Sequence, residues 1–185
     1  MYLMVNFYTY LGLYLDDLKK TVNLNEFEQY FNTPHQTIKR KLHYFVKKGI
    51  LVENKKGKFL FYTLNLQNML VWEYLVLCEK ERLLLFLEQS LFKRLYDLLF
   101  PFFKESSFLI FGSATDKKKF NDIDLLIISK KKIDLTQFEE TYSVKIHLVQ
   151  TTEKNLTPTF ITEIRKKHII LNNHDYFRRV IYDNH

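Results

Sequence analysis

The chain has 185 residues, 46% hydrophobic and 26% charged, and its four glycines, three prolines and 16% aromatics exclude a disordered or low-complexity chain. Its 28 lysines and arginines against 21 acids give a net charge of +7, which makes an anionic partner a natural expectation. The single cysteine, Cys78, excludes an internal disulfide framework and fits a reducing interior, and charges such as Glu73, Glu79 and Glu88 break the longest apolar stretches short of the ~20 residues a membrane span needs. No secretory pattern opens the sequence, so a soluble, cytoplasmic protein without a membrane partner is expected. Residues 2–18 predict a core helix with Phe7, Leu11, Tyr14, Leu15 and Leu18 on one face. A short helix over 24–31 follows, with Asn23 as its cap, and Asn32-Thr33-Pro34 breaks the chain.

The third helix has Thr33 as its expected cap, Pro34 in its first turn and Gly49 as its stop. Ile38, Leu42, Phe45 and Val46 fall at helical spacing and face a core. The opposite face presents His35, Gln36, Lys39, Arg40, His43 and Lys47. Two strands, 50–53 and 59–63, then flank a basic turn carrying Lys55, Lys56, Gly57 and Lys58. Helix, helix, turn, helix, hairpin over 1–65 resembles a winged helix-turn-helix domain of the small archaeal and bacterial transcription-regulator type. That resemblance implies DNA binding, with the third helix in the major groove and the wing on the flanking backbone. Its DNA-binding residues would be His35, Gln36, Lys39, Arg40, His43, Lys47, Lys55, Lys56 and Lys58. Residues 33–65 hold eight basic side chains and one acid, a local excess of +7 that equals the charge of the whole chain. Gln36 and Arg40 can read base edges, whereas lysines need only meet phosphate. A solvated basic face on a winged helix that binds protein is the other reading of the same residues.

Residues 66–106 predict a helical linker. Leu70, Tyr74, Leu77 and Leu84 begin one stripe, and Leu83, Phe86, Leu87, Phe92, Leu95, Tyr96 and Leu99 spread round the circumference. Such coverage predicts burial on more than one side, between domains or in a homodimer, and Pro101 should end or kink the segment. Cys78, within the apolar run, is expected in a core rather than as a nucleophile.

The most informative stretch is 108–129, FLIFGSATDKKKFNDIDLLIIS. An apolar strand stops at Gly112-Ser113, a polar insert follows, and a second strand alternates Asp122 and Asp124 with aliphatics, so both carboxylates fall on one face. Two carboxylates at that spacing suit a hard divalent cation that keeps water or phosphate as its other ligands. Gly112 lets a phosphate approach the backbone, and Ser113 offers a hydroxyl and an amide donor.

Phe-Gly-Ser, a short basic insert and Asn-Asp-Ile-Asp-Leu-Leu-Ile resemble the signature of the DNA polymerase β-type nucleotidyltransferases, most closely their minimal branch. The resemblance implies a nucleoside triphosphate substrate and Mg²⁺, with Asp122 and Asp124 as metal ligands and catalytic residues and Gly112 and Ser113 as nucleotide-binding residues. It also implies a third acid on the next strand, and the matching position in 144–149 is His147. Imidazole is a poor ligand for a hard metal, though a neutral histidine can act as a base near pH 7. Lys130, Lys131 and Lys132 form a basic turn that could help hold a triphosphate or could simply be solvated. A short helix near 135–140 precedes the third strand. The tail predicts a helix over 160–167, an extended 169–171 and a closing turn with Tyr176, Phe177 and Ile181 packed down. His168 and His174 match no metal-binding spacing.

The expected fold is therefore α+β: a winged helix-turn-helix over 1–65, a helical linker over 66–106 and a small mixed-sheet nucleotidyltransferase-like domain over 107–185. The leading functional expectation is Mg²⁺-dependent transfer of a nucleotidyl group from a nucleoside triphosphate to an acceptor. The alternative is a DNA-binding transcriptional regulator whose nucleotidyltransferase domain has lost its activity. A helical toxin-like partner, as some minimal nucleotidyltransferases have, is a third expectation.

Overall fold

The computed structural model describes residues 7–116 and 120–183 and has an α+β fold. The start of the first expected helix and the basic 117–119 lie outside the described residues. The chain divides into two compact units, Met1–Cys78 and Glu79–His185. Among the described residues no helix is long and apolar enough to cross a membrane.

The first unit begins with a 3₁₀ segment, Phe7–Tyr14, that buries Tyr10, Leu11 and Tyr14. Strand β1 (Val22–Asn23) leads into α1 (Leu24–Phe31) through a capping box in which Glu26 N donates to Asn23 Oδ1 at 3.0 Å and Asn23 N to Glu26 Oε2 at 2.7 Å. Helix α2 (His35–Lys47) buries Ile38, Leu42 and Phe45. Thr33 does not cap it: Pro34 occupies the cap position, and the Thr33 hydroxyl donates back to Phe31 O at 2.9 Å. The far end of α2 is better held. Gly49 adopts φ +67°, and the Asn65 and Asn68 amides donate to its carbonyl at 2.9 and 3.1 Å, supplying partners that a helix end lacks.

Strands β2 (Leu51–Lys56) and β3 (Phe59–Leu64) form a hairpin, and β1 joins β3 to give the order β1-β3-β2. The turn is tighter than expected, because Gly57 at φ +61° lets pairing run to Lys56↔Phe59. Lys55 and Lys56 thus sit on a strand rather than in a loop. Tyr14 donates its hydroxyl to the Tyr62 carbonyl at 2.9 Å, and Phe27 meets the Tyr62 ring edge-on, tying the first segment to the sheet.

Helix α3 (Leu70–Phe86) contributes to both units, with the division after Cys78, which is buried. In the second unit it is followed by α4 (Ser90–Leu99) and a short 3₁₀ turn at Pro101, where the expected break falls. Strands β4 (Ser107–Phe111), β5 (Asp122–Ile128), β6 (Lys145–Thr151) and β7 (His168–Ile170) form one mixed sheet in the order β6-β5-β4-β7. Only β5 and β6 are parallel, and α5 (Thr136–Tyr142) makes the crossover between them. One sheet face, with Phe108, Ile110, Ile123, Leu125 and Ile127, packs on Leu83, Phe86, Phe92, Leu95 and Leu99. Helix α6 (Pro158–Lys166) buries Ile161 and Ile164, and the closing helix α7 (His174–Arg178) and the turn after it bury Phe177 and Ile181.

A polar cluster is sealed within this unit. Glu79, only 3% exposed, accepts from Arg82 Nη2 at 3.0 Å and from the Tyr182 hydroxyl at 3.1 Å, while His168 Nε2 lies 2.9 Å from the same carboxylate. His168 Nδ1 faces the Ile164 carbonyl at 3.0 Å. Burial pushes the Glu79 carboxyl up, but Arg82 and His168 outweigh it and hold it down at about 2. Burial also pushes His174 down to about 4, and its Nε2 has no hydrogen-bond partner among the described residues.

Both groups tie stability to acid, in separate windows. The neutral His174 form is the one the fold favours, so its contribution is complete above pH 6.5 and falls toward pH 4, by up to about 3 kcal/mol. Ionised Glu79 contributes fully above pH 4.5 and loses its effect toward pH 2. Urea unfolding across pH should show His174→Gln flattening the first limb and Glu79→Gln the second. At pH 7, Glu79→Ala should cost about 3–5 kcal/mol by leaving a buried charge without its partner.

Candidate functional site

The site is assembled by one row of residues running across the second sheet. Parallel pairing sets His147 of β6 beside Asp124 of β5, and antiparallel pairing sets Asp124 beside Phe111 of β4 and Phe111 beside His168 of β7. Directly paired residues share a face, so the row lies on the side opposite the large apolar cluster. His168 closes the buried end, and His147, with a side chain 71% exposed, closes the open end.

At the centre of the row, Gly112 ends β4 with φ +71°. A Cβ built there would lie 2.4 Å from Asp124 Oδ2, so the carboxylate occupies space that any other residue would fill. Asp124 thus turns Oδ2 toward the Gly112 backbone and Oδ1 toward His147 Nδ1, 3.2 Å away. Asp122, two residues earlier, is half-buried on the same strand face, and Ile123 between them is fully buried on the other. Ser113 is exposed in the 3₁₀ turn Gly112–Asp116, and the Thr115 hydroxyl closes that turn by donating to Gly112 O at 2.7 Å. Beside Asp124, Phe111 meets the Phe160 ring edge-on at 5.4 Å.

Residues singled out in the sequence therefore meet here: Asp124 touches both Gly112 and His147, with Asp122 and Ser113 their neighbours along the chain. Among the described residues no three His, Cys, Asp or Glu side chains group so as to hold a metal by themselves. The space over Gly112 is filled by Asp124 itself, so the groups that could take a hard cation here are the Asp122 and Asp124 carboxylates, with phosphate and water as the remaining ligands. Lys130, Lys131 and Lys132 are not at this site. They follow the opposite end of β5, about 20 Å from Asp122 at the usual rise per residue, and Lys131 pairs with Glu105.

Two residues at the site carried no signal in the sequence. The Gly112 amide donates to the Lys167 carbonyl at 3.3 Å, and the Lys167 ammonium pairs with Asp116. Lys167 reaches the Gly-Ser turn because β7 pairs with β4, a long-range contact that local patterning does not encode.

On the first unit, Gln36, Lys39, Arg40, His43 and Lys47 are all exposed along α2, as are Lys55, Lys56 and Lys58 on the hairpin. His35 is exposed too, but its ring is engaged by Glu28 of α1. Lys56 and Lys58 lie over the Phe61 and Phe59 rings at 5.8 and 5.6 Å, and Phe59 is 48% exposed beside the turn. That exposed ring was not among the residues expected to matter.

No protein-family model matches the chain, and no curated protein matches it in sequence.

Replacing Gly112 by alanine should push the Asp124 carboxylate off its seat and strain a left-handed backbone, costing about 1–3 kcal/mol. Urea unfolding measures the cost, and Mn²⁺ titration of the folded variant should show weaker binding than the parent.

Proposed function

We propose that the second unit transfers a nucleotidyl group from a nucleoside triphosphate to an acceptor. The observation that carries this reading is the seating of Asp124 over Gly112 with Asp122 on the same strand face. Asp122 and Asp124 would hold Mg²⁺, and the turn that Gly112 opens receives the β- and γ-phosphates at the Ser113 hydroxyl and amide. Bound Mg²⁺ supplies charge neutralisation on the phosphates. His147 Nδ1 lies 3.2 Å from Asp124 Oδ1, and that contact would aim the other nitrogen of this exposed ring at the acceptor, whose proton it takes. The acceptor oxygen bonds to the α-phosphorus as the bond to the bridging oxygen breaks, and pyrophosphate leaves. The protein's share of the work is positioning and electrostatics.

In this reading the first unit is a winged helix-turn-helix that brings the enzyme to DNA. Its support is the exposed α2 face with Gln36 and Arg40 among lysines, and the basic hairpin beside it.

A second reading, a DNA-binding regulator with a silent second unit, is favoured by the contact between His147 and Asp124. An imidazole engages one oxygen of the carboxylate needed for metal, at the position where the resembling family carries an acid.

Incubation with labelled nucleoside triphosphates and Mg²⁺, alone and with cell extract, tests the first reading. Label should transfer or nucleotide should bind, and Asp122→Ala or Asp124→Ala should lower transfer by about 100-fold or more. Absence of both binding and transfer in the parent protein removes the enzyme and leaves the regulator. Titration against duplex DNA at several salt concentrations tests the first unit. Affinity should fall as salt rises, and Lys39→Ala with Arg40→Ala should weaken it by about tenfold or more. Affinity indifferent to both salt and substitution would end the DNA role.

A further inference from the structure

We propose that Lys167 is a phosphate-binding cation of the nucleotide site, held ready over the Gly-Ser turn by Asp116. This inference rests on the nucleotidyltransferase reading and adds to it a residue from outside the Gly-Ser and Asp-x-Asp stretch.

The argument starts from charge. A triphosphate brought beside Asp122 and Asp124 adds several negative charges to a site that already holds two, and a divalent cation offsets only part of them. Lys130, Lys131 and Lys132 are at the wrong end of β5. On α6, Lys166 is bound to Glu163 at 2.7 Å, and Arg165 donates through Nε to the Ile181 carbonyl at 3.0 Å.

Lys167 differs from both in where its backbone is fixed. Its carbonyl accepts from the Gly112 amide at 3.3 Å, so the residue is registered against the first position of the turn. Its ammonium pairs with Asp116, the last position of the same turn. A single lysine therefore spans both ends of the five-residue segment that carries Ser113.

The pair is built to exchange. The Lys167 and Asp116 side chains are 55% and 60% exposed, and an ion pair that open to water contributes little to stability. A polyphosphate arriving at Ser113 offers the ammonium more charge than one carboxylate does, at the same side of the turn. Asp116 then acts as an internal stand-in for the ligand, keeping the lysine near Gly112 when no phosphate is present.

Calorimetric titration of the full chain with inorganic tripolyphosphate and with ATP, each with Mg²⁺, tests this. The parent protein should bind both. Lys167→Gln should weaken both by about tenfold or more, Lys167→Arg should restore most of the loss, and Asp116→Asn should tighten binding by removing the competing carboxylate. Lys167 is exposed and makes no core contact, so matching thermal melts should accompany these changes. Binding by the parent with Lys167→Gln unchanged overturns the role of Lys167 and leaves the nucleotide reading standing. Failure of the parent to bind either ligand overturns both. Weaker binding in Asp116→Asn overturns the stand-in role, because Asp116 would then be a ligand itself.

Discussion

A carboxylate resting where a glycine has no side chain is the contact on which the second unit's chemistry depends. Asp124 cannot take its position unless residue 112 lacks a Cβ, and residue 112 cannot take its left-handed φ of +71° cheaply unless it is glycine. The two requirements fall on the same atom. From that seat the carboxylate faces a backbone turn with one oxygen and His147 with the other, so the strand pairing that aligns β4, β5 and β6 also decides which groups share a charge.

The opposite end of the same row is held by a different kind of interaction. His168 is sealed against Glu79, with Arg82 and Tyr182 completing the carboxylate's partners. A buried charge cluster of this kind tolerates little displacement, because a partner that moves away leaves desolvated groups unmet. It fixes β7 against β4 and, one residue earlier, fixes the backbone of Lys167 beside Gly112. Rigid support at the buried end thus places an exposed, exchangeable side chain at the open one.

Much of this was legible in the sequence where the cause is local. Asn23 announced the start of α1, the spacing of Ile38, Leu42 and Phe45 gave the buried face of α2, and alternation in 122–128 gave the face shared by Asp122 and Asp124. The match of His147 to the third strand position was also readable, and the pairing register sets it beside Asp124. What escaped depends on contacts distant in sequence. Thr33 looked like a cap, but a chain entering through Pro34 turns its hydroxyl back to Phe31. The two-residue β1 is too short to carry a periodic signal and exists through its pairing with β3. The lysines at 130–132 looked close to the acids because they are near in sequence, whereas a strand carries its two ends apart. Lys167 looked like the end of a helix, and only the β4–β7 pairing brings it to the turn.

That β4–β7 pairing has a bearing on how the protein comes into being. Phe108 N is satisfied by Asn172 Oδ1 at 2.7 Å across a separation of 64 residues, and the β4–β7 ladder begins from the same long closure. During synthesis the glycine turn and both aspartates emerge well before the strand that completes their sheet. A nascent chain therefore carries an unpaired β4 edge until β7 arrives, an interval in which a chaperone, or a second chain offering a strand, would find a template open.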